Sequence, residues 1–182
     1  MKKNKIIYAG LAADILHEGH INILNQASKV GKVIVGLLTD KAIASYKQLP
    51  LLNYKQRESV VKNMKNVYRV VPQNTLDYRP NLIKLKPNYV IHGDDWRYGV
   101  QKKTRSQVIK TLKKWNGKLI EPKYTRNISS SGIKNKILQL AASPQNRVSR
   151  LKRLMESKNI VRIIESHNSL TGLIIENLKI KK

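Results

Sequence analysis

Cysteine is absent from the chain. That excludes disulfides and thiolate metal sites, and it agrees with a reducing, cytoplasmic setting. Acidic residues are scarce, 11 Asp and Glu against 36 Lys and Arg, for a net charge of +25. Long apolar runs are missing too, since no segment approaches the roughly 20 residues of a membrane span. The opening "MKKNKIIYAGLAADIL" sets lysines before an apolar stretch, as a signal peptide would. Asp14 interrupts that stretch and no small-residue cleavage site follows, so a soluble protein with no membrane partner is expected. No internal repeat or low-complexity tract is visible.

The positive charge makes nucleic acid a candidate partner. The basic residues are spread along the chain without a block of five or more, and Lys, Asn and Ile are abundant throughout. Compositional drift explains that pattern better than a dedicated nucleic-acid surface. In either case the field attracts small anionic substrates.

Five β-prone runs alternate with helical patterns. The runs are "KIIYAG" (5–10), "KVIVGLL" (32–38), "VYRVV" (67–71), "NYVIHG" (88–93) and "KLIEP" (118–122). Between and after them, residues 21–31, 53–66, 79–87, 104–117 and 129–141 carry helical periodicity; the first sets Ile21, Leu24, Ala27 and Ser28 on one face. This alternation predicts an α/β fold, a doubly wound five-stranded parallel sheet. Ligands of such sheets bind beyond the carboxyl ends of the strands. The unusual stretches 10–20, 39–50, 93–99 and 123–131 each follow a strand and converge on that rim. At "AASPQNR" (141–147) the pattern changes to a basic helix and a strand-like "IVRIIES" (160–166).

"LHEGHIN" (16–22) holds two histidines around a glycine. Zinc needs further ligands, and no Cys or additional His–Glu signature supplies them. Core histidines would not account for the glycine or for the strand-to-helix junction. Anion binding accounts for both: Gly19 lets backbone approach a ligand, and His20 opens a helix whose N-terminus is partly positive. Glu18, between them, reads as solvated.

The stretch "ADILHEGHINIL" resembles the HxGH signature of the nucleotidyltransferase superfamily. "RNISSSGIK" (126–134) is similar to its second, hydroxyl-rich signature, "HGDDW" (92–96) to the loop after the fourth strand in glycerol-3-phosphate cytidylyltransferases, and "YKQR" (54–57) to their arginine-bearing helix. The resemblance covers residues 5–140 and implies a Rossmann-like cytidylyltransferase using CTP and Mg²⁺. It implies that His17 and His20 stabilise the transferring phosphate, with Lys47 as a mobile cation and Arg126 and Ser130 completing the catalytic set. Nucleotide contacts fall to Arg57, Asp94, Trp96, Ser129 and Ser131, with Ala12, Ala13, Gly19, Gly93 and Ile128 from the same loops. Asp14 would orient its loop or a Mg²⁺ carried on the CTP phosphates; no protein side chain is otherwise expected to bind metal. Leu11, Ala12 and Ala13 depart from the Gly-Thr-Phe of the glycerol-phosphate enzymes, and the double-lysine pattern near residue 47 is reduced.

Residues 150–177 are similar to the opening of phosphoenolpyruvate mutases, with "SHNSLTG" at their His-Asn-Gly-Leu turn. The two resemblances together are those of the bifunctional enzymes of fosfomycin-type phosphonate biosynthesis. The expected organisation is a cytidylyltransferase domain over 1–142, then a linker and truncated mutase-like start over 143–182. The remainder is too short for a barrel of about 250 residues. The expected acceptor is a small phosphonate, 2-hydroxyethylphosphonate first, with glycerol 3-phosphate and 2-aminoethylphosphonate as alternatives. From a different class, a catalytically silent nucleic-acid-binding domain remains. The sequence leaves the oligomeric state, a homodimer included, open.

Overall fold

Strand β1 (Ile6–Leu11) is buried on both faces, and its alternate residues enter two different cores. The computed structural model describes residues 5–123, 125, 128–140, 144–158, 160–161 and 163–178. On one face Ile7, Ala9 and Leu11 meet Val33, Val35 and Leu37 of β2 (Lys32–Leu38). Leu24 and Ala27 of α1 (Glu18–Val30) and Val61 of α3 (Tyr54–Lys62) close that layer. On the other face Tyr8 and Ile34 pack with Leu82 of α4 (Arg79–Leu85), and with Val108 and Leu112 of α5 (Lys102–Leu112). A sheet covered by helices on both faces can dispense with polar alternation, which is why β2 reads as continuously apolar.

The remaining strands are β3 (Arg69–Gln73), β4 (Tyr89–Ile91) and β5 (Lys118–Ile120). All pairings are parallel, in the order β3-β2-β1-β4-β5. This is the doubly wound, Rossmann-like architecture expected from the alternation. The winding reverses between β1 and β4, so a crevice opens there. Register pairs Gly10 with Gly36 on the Tyr8 face. A Cβ on Gly10 would overlap the Tyr78 ring, and one on Gly36 the Tyr8 ring, so the two bare positions make room for two tyrosines. Tyr8 donates to Gln73 Oε1 (2.5 Å) and accepts from Asn81 (2.9 Å), tying β3 and α4 to the central strand.

Several boundaries differ from expectation. Helix α1 starts three residues earlier, at Glu18, because His17 caps it. Its buried face is Leu24 and Ala27 with Ile23 and Val30, while Ile21 is exposed. Residues expected as loop contain the short helix α2 (Asp40–Ala44), capped by Thr39. After β4 come two short 3-10 turns, Asp94–Arg97 and Gly99–Gln101.

Helices α6 (Ser130–Leu140) and α7 (Pro144–Ser157) follow β5, and α7 packs against α2. The strand expected over 160–166 does not form among the described residues there. Ile160 and Ile163 are exposed, and unpaired backbone gains nothing from extended geometry without a neighbouring edge. The expected turn at 166–172 is instead the start of α8 (Ser169–Asn177), capped by Asn168 and Thr171. No helix among the described residues is long and apolar enough to cross a membrane.

Candidate active site

A cleft of about 260 Å³ sits beyond the carboxyl ends of β1 and β4. Gly10, Leu11 and Ala12 line it from β1, and Ile91, His92 and Gly93 from β4. The N-terminus of α1 brings His17, Gly19 and His20, and that of α6 brings Ser129, Ser130 and Ser131. Lys47 enters from the segment after α2.

The two histidines are the capping residues of α1. His17 Nδ1 accepts from the Gly19 N–H (3.2 Å), and His20 Nδ1 accepts from the His17 N–H (3.3 Å). Each ring therefore keeps its proton on Nε2, as a donor. The rings stand 4.1 Å apart, centroid to centroid. Burial lowers the His20 pKa to about 4, with His17 and Lys47 adding to the effect, and burial lowers His17 as well. At neutral pH the cleft thus holds two uncharged imidazole donors at a helix N-terminus. Gly19 first serves this arrangement: a Cβ there would lie 3.0 Å from the His17 ring.

At α6, Ser129 Oγ accepts from the Gly132 N–H (3.1 Å), while Ser130 donates to the Ile15 carbonyl (2.9 Å). The serines thus finish a helix N-terminus and tie it to the histidine loop. Two partly positive helix ends face one cleft, a ready site for polyphosphate. Lys47 adds charge, although burial and the nearby Lys134 and Arg57 lower its pKa against the pull of Asp14.

Other expected site residues lie elsewhere. Arg57 is fully buried and does not line the cleft. Its guanidinium donates to the Ala12 carbonyl (2.5 Å), the Leu52 carbonyl (3.2 Å) and Asp40 (2.7 Å), which leaves it bracing the loop behind the cleft. Asp14 is buried too, accepting from the Leu51 N–H (2.5 Å) and pairing with Lys134 at 3.4 Å. These partners hold the Asp14 carboxylate between the Leu51 backbone and Lys134, and it does not line the cleft. Ala13, buried beside it, holds a left-handed φ of 49°, a strained conformation for a residue with a Cβ.

Trp96 does not line the cleft; it stacks behind His92 (4.0 Å, 6° between planes) and donates to Glu121 (2.8 Å). Arg105 and Arg97 also hold Glu121, lowering its pKa to about 2. Asp94 and Ile128 are absent from the lining, and Asp95 takes the place expected of Asp94. Arg126 falls outside the described residues. Among the described residues no three His, Cys, Asp or Glu side chains converge as a metal site would require.

Sequence reasoning passed over His92, whose Nδ1–H donates to the Gly93 carbonyl (2.8 Å). That bond leaves Nε2 of neutral His92 as an acceptor, the reverse of the two capping histidines. The signal is its position just after β4, as the first residue of "HGDDW" (92–96). Tyr46, Tyr78, Asn22 and Gln26 also line the cleft, with no local pattern to mark them.

The cytidylyltransferase-like family model matches residues 8–136. The chain belongs to that family. It is 31% identical over 142 residues to an ethanolamine-phosphate cytidylyltransferase of Dictyostelium discoideum, covering 75% of this chain and 38% of that protein. It is 28% identical over 144 residues to an FAD synthase of Picrophilus torridus, covering 75% of this chain and 97% of that one. The chain therefore spans well under half of the Dictyostelium protein. A lipopolysaccharide core biosynthesis protein from Thermoplasma volcanium shares the fold, with a TM-score of 0.57 at 22% identity over 66% of this chain and 98% of that one. Family membership supports the expected nucleotidyltransferase chemistry. Neither relative carries a phosphonate in its name, so the expected acceptor gains no support from them.

Proposed function

We propose that this chain is a cytidylyltransferase that joins CMP to a small phosphate or phosphonate. An acceptor oxygen attacks the α-phosphorus of CTP, the bond from that phosphorus to the bridging oxygen breaks, and pyrophosphate leaves. The attacking group is already anionic near neutral pH, so the work is positioning and charge neutralisation. The Nε2–H donors of His17 and His20 meet charge growing on the α-phosphate. The α6 N-terminus and Ser131 receive the outer phosphates, and Lys47 bridges the reacting groups. Asp14 is engaged elsewhere, so no protein ligand for Mg²⁺ is proposed; the ion enters only as part of the substrate, on the phosphates of CTP. The carrying observation is the pair of histidines whose Nδ1 atoms are consumed in capping α1.

The acceptor rests on separate grounds. The mutase-like tail and the altered "GLAAD" loop favour 2-hydroxyethylphosphonate. The carboxylate of Asp95 at the cleft and the ethanolamine-phosphate relative favour a 2-aminoethyl compound. A panel crossing CTP, ATP, GTP and UTP with 2-hydroxyethylphosphonate, 2-aminoethylphosphonate, phosphoethanolamine, glycerol 3-phosphate and FMN, scored by pyrophosphate release, decides both. CTP with a two-carbon acceptor should win, by roughly 10–200-fold in kcat/KM over glycerol 3-phosphate. Preference for ATP with FMN would replace this reading with FAD synthesis.

A further inference from the structure

The segment that leads out of the cleft after Lys47 is held by four side chains from different parts of the fold. Lys134 of α6 donates to the Leu49 carbonyl. Asp14 accepts from the Leu51 N–H (2.5 Å), and Arg57 of α3 donates to the Leu52 carbonyl (3.2 Å). Arg153 of α7 donates to the Leu51 carbonyl (2.7 Å). The second terminal nitrogen of Arg153 is buried 3.6 Å from Asp40, the same carboxylate that pairs with Arg57. Arg57 in turn reaches the Ala12 carbonyl at the cleft.

Three of these four side chains lie within the family-matched residues 8–136; Arg153 lies beyond them. The clamp opposes a specific force. Burial and repulsion from the nearby Lys134 and Arg57 favour the escape of Lys47 to water, against the attraction of Asp14. Backbone anchors on residues 49–52 hold it in place. We propose that Arg153 is a positioning residue for nucleotidyl transfer: α7 clamps the strap behind Lys47 and, through Asp40 and Arg57, braces the Ala12 loop. The kinetic part of this inference rests on the proposed cytidylyltransferase reading; the clamp itself does not.

The test uses the full chain with Arg153→Ala and Arg153→Lys, each alone and combined with Lys47→Ala. Arg153→Ala should lower kcat about 10-fold while the KM for CTP moves less than about threefold, a loss of position rather than of binding. Arg153→Lys, which keeps one donor, should recover part of the rate. In the Lys47→Ala background the Arg153 substitutions should have a clearly smaller effect on kcat, the remainder passing through Asp40 and Arg57 to the Ala12 loop. Amides at 47–52 should exchange with solvent faster in Arg153→Ala. Equal rate losses with and without Lys47 would overturn the route through that lysine, and unchanged exchange at 47–52 would overturn the clamp. If the wild-type chain releases no pyrophosphate with any nucleotide, the function reading fails, while the exchange measurement still decides the clamp; Arg153→Lys serves there if Arg153→Ala does not fold.

Discussion

Helices α1 and α3 begin with the same hydrogen-bond pattern and end up with different capacities. In α3, Asn53 accepts from the Gln56 N–H and Gln56 accepts from the Asn53 N–H. In α1, His17 and His20 take the corresponding roles. Both arrangements satisfy donors that a helix start leaves open. An amide side chain used this way caps through its oxygen and keeps its N–H₂ on the same carbon, close against the helix start. An imidazole has a second nitrogen on the far side of the ring, and capping fixes that nitrogen as a donor. Two ordinary capping positions thus become two aimed N–H groups, and α1 faces a cleft while the first turn of α3 presents Arg57 to the interior.

The largest effect that separates the two helices should come from Arg57. Arg57→Ala leaves the Ala12 and Leu52 carbonyls without their donor and Asp40 with only the more distant Arg153, and should cost about 3–5 kcal/mol of stability, read by urea unfolding. A loss below 1 kcal/mol would show that Arg57 does not brace the cleft loop.

Next in size is a pH effect in which α1 carries the two capping histidines and buried His92, after β4, acts in the same direction. His17 and His20 titrate below their unfolded value of roughly 6.5. As pH falls from 6.5 towards 4 the unfolded chain takes up protons that the folded chain refuses, so stability is lost across that window. Between pH 7 and pH 5 the loss should be on the order of 1–2 kcal/mol and should shrink in His20→Gln. Glu121 acts lower: its folded pKa of about 2 stabilises the fold above the usual carboxylate range and is lost as pH falls through 2. A wild-type stability flat from pH 7 to 5 would contradict the neutral histidines.

The smallest effect belongs to α3. Asn53→Ala should cost about 1 kcal/mol in unfolding free energy and leave turnover unchanged. A tenfold fall in turnover would mean that its cap, too, serves the cleft.

The contrast between the helices also marks what the sequence makes legible. Hydrophobic periodicity located the five strands because a buried parallel sheet writes continuous apolar runs. The histidine and serine motifs located the cleft because both follow strands that end at one rim. The sequence does not show that His17 starts α1, since imidazole is a rare cap and the apolar pattern begins only at Ile21. Arg57 and Trp96 carry functional-looking chemistry, yet long-range partners bury them. Asp40 takes Arg57 and Glu121 takes the Trp96 indole, and neither pairing leaves a local trace. The strand expected over 160–166 fails for the opposite reason: "IVRIIES" has strand propensity, but no neighbouring strand pairs with its described residues.

Converting one start into the other is the most direct test of the central claim. The double variant His17→Asn with His20→Gln gives α1 the side chains that cap α3. It should fold with stability within about 1 kcal/mol of wild type at pH 7, because the capping bonds are kept. Its amide N–H₂ groups sit beside the capping oxygens, short of where the imidazole Nε2 atoms are aimed. Pyrophosphate release from CTP should therefore fall by roughly 10²–10³-fold, the scale of misplacing a transition-state donor. A folded double variant that turns over within a few-fold of wild type would contradict the account, because the histidines would then be caps and nothing more.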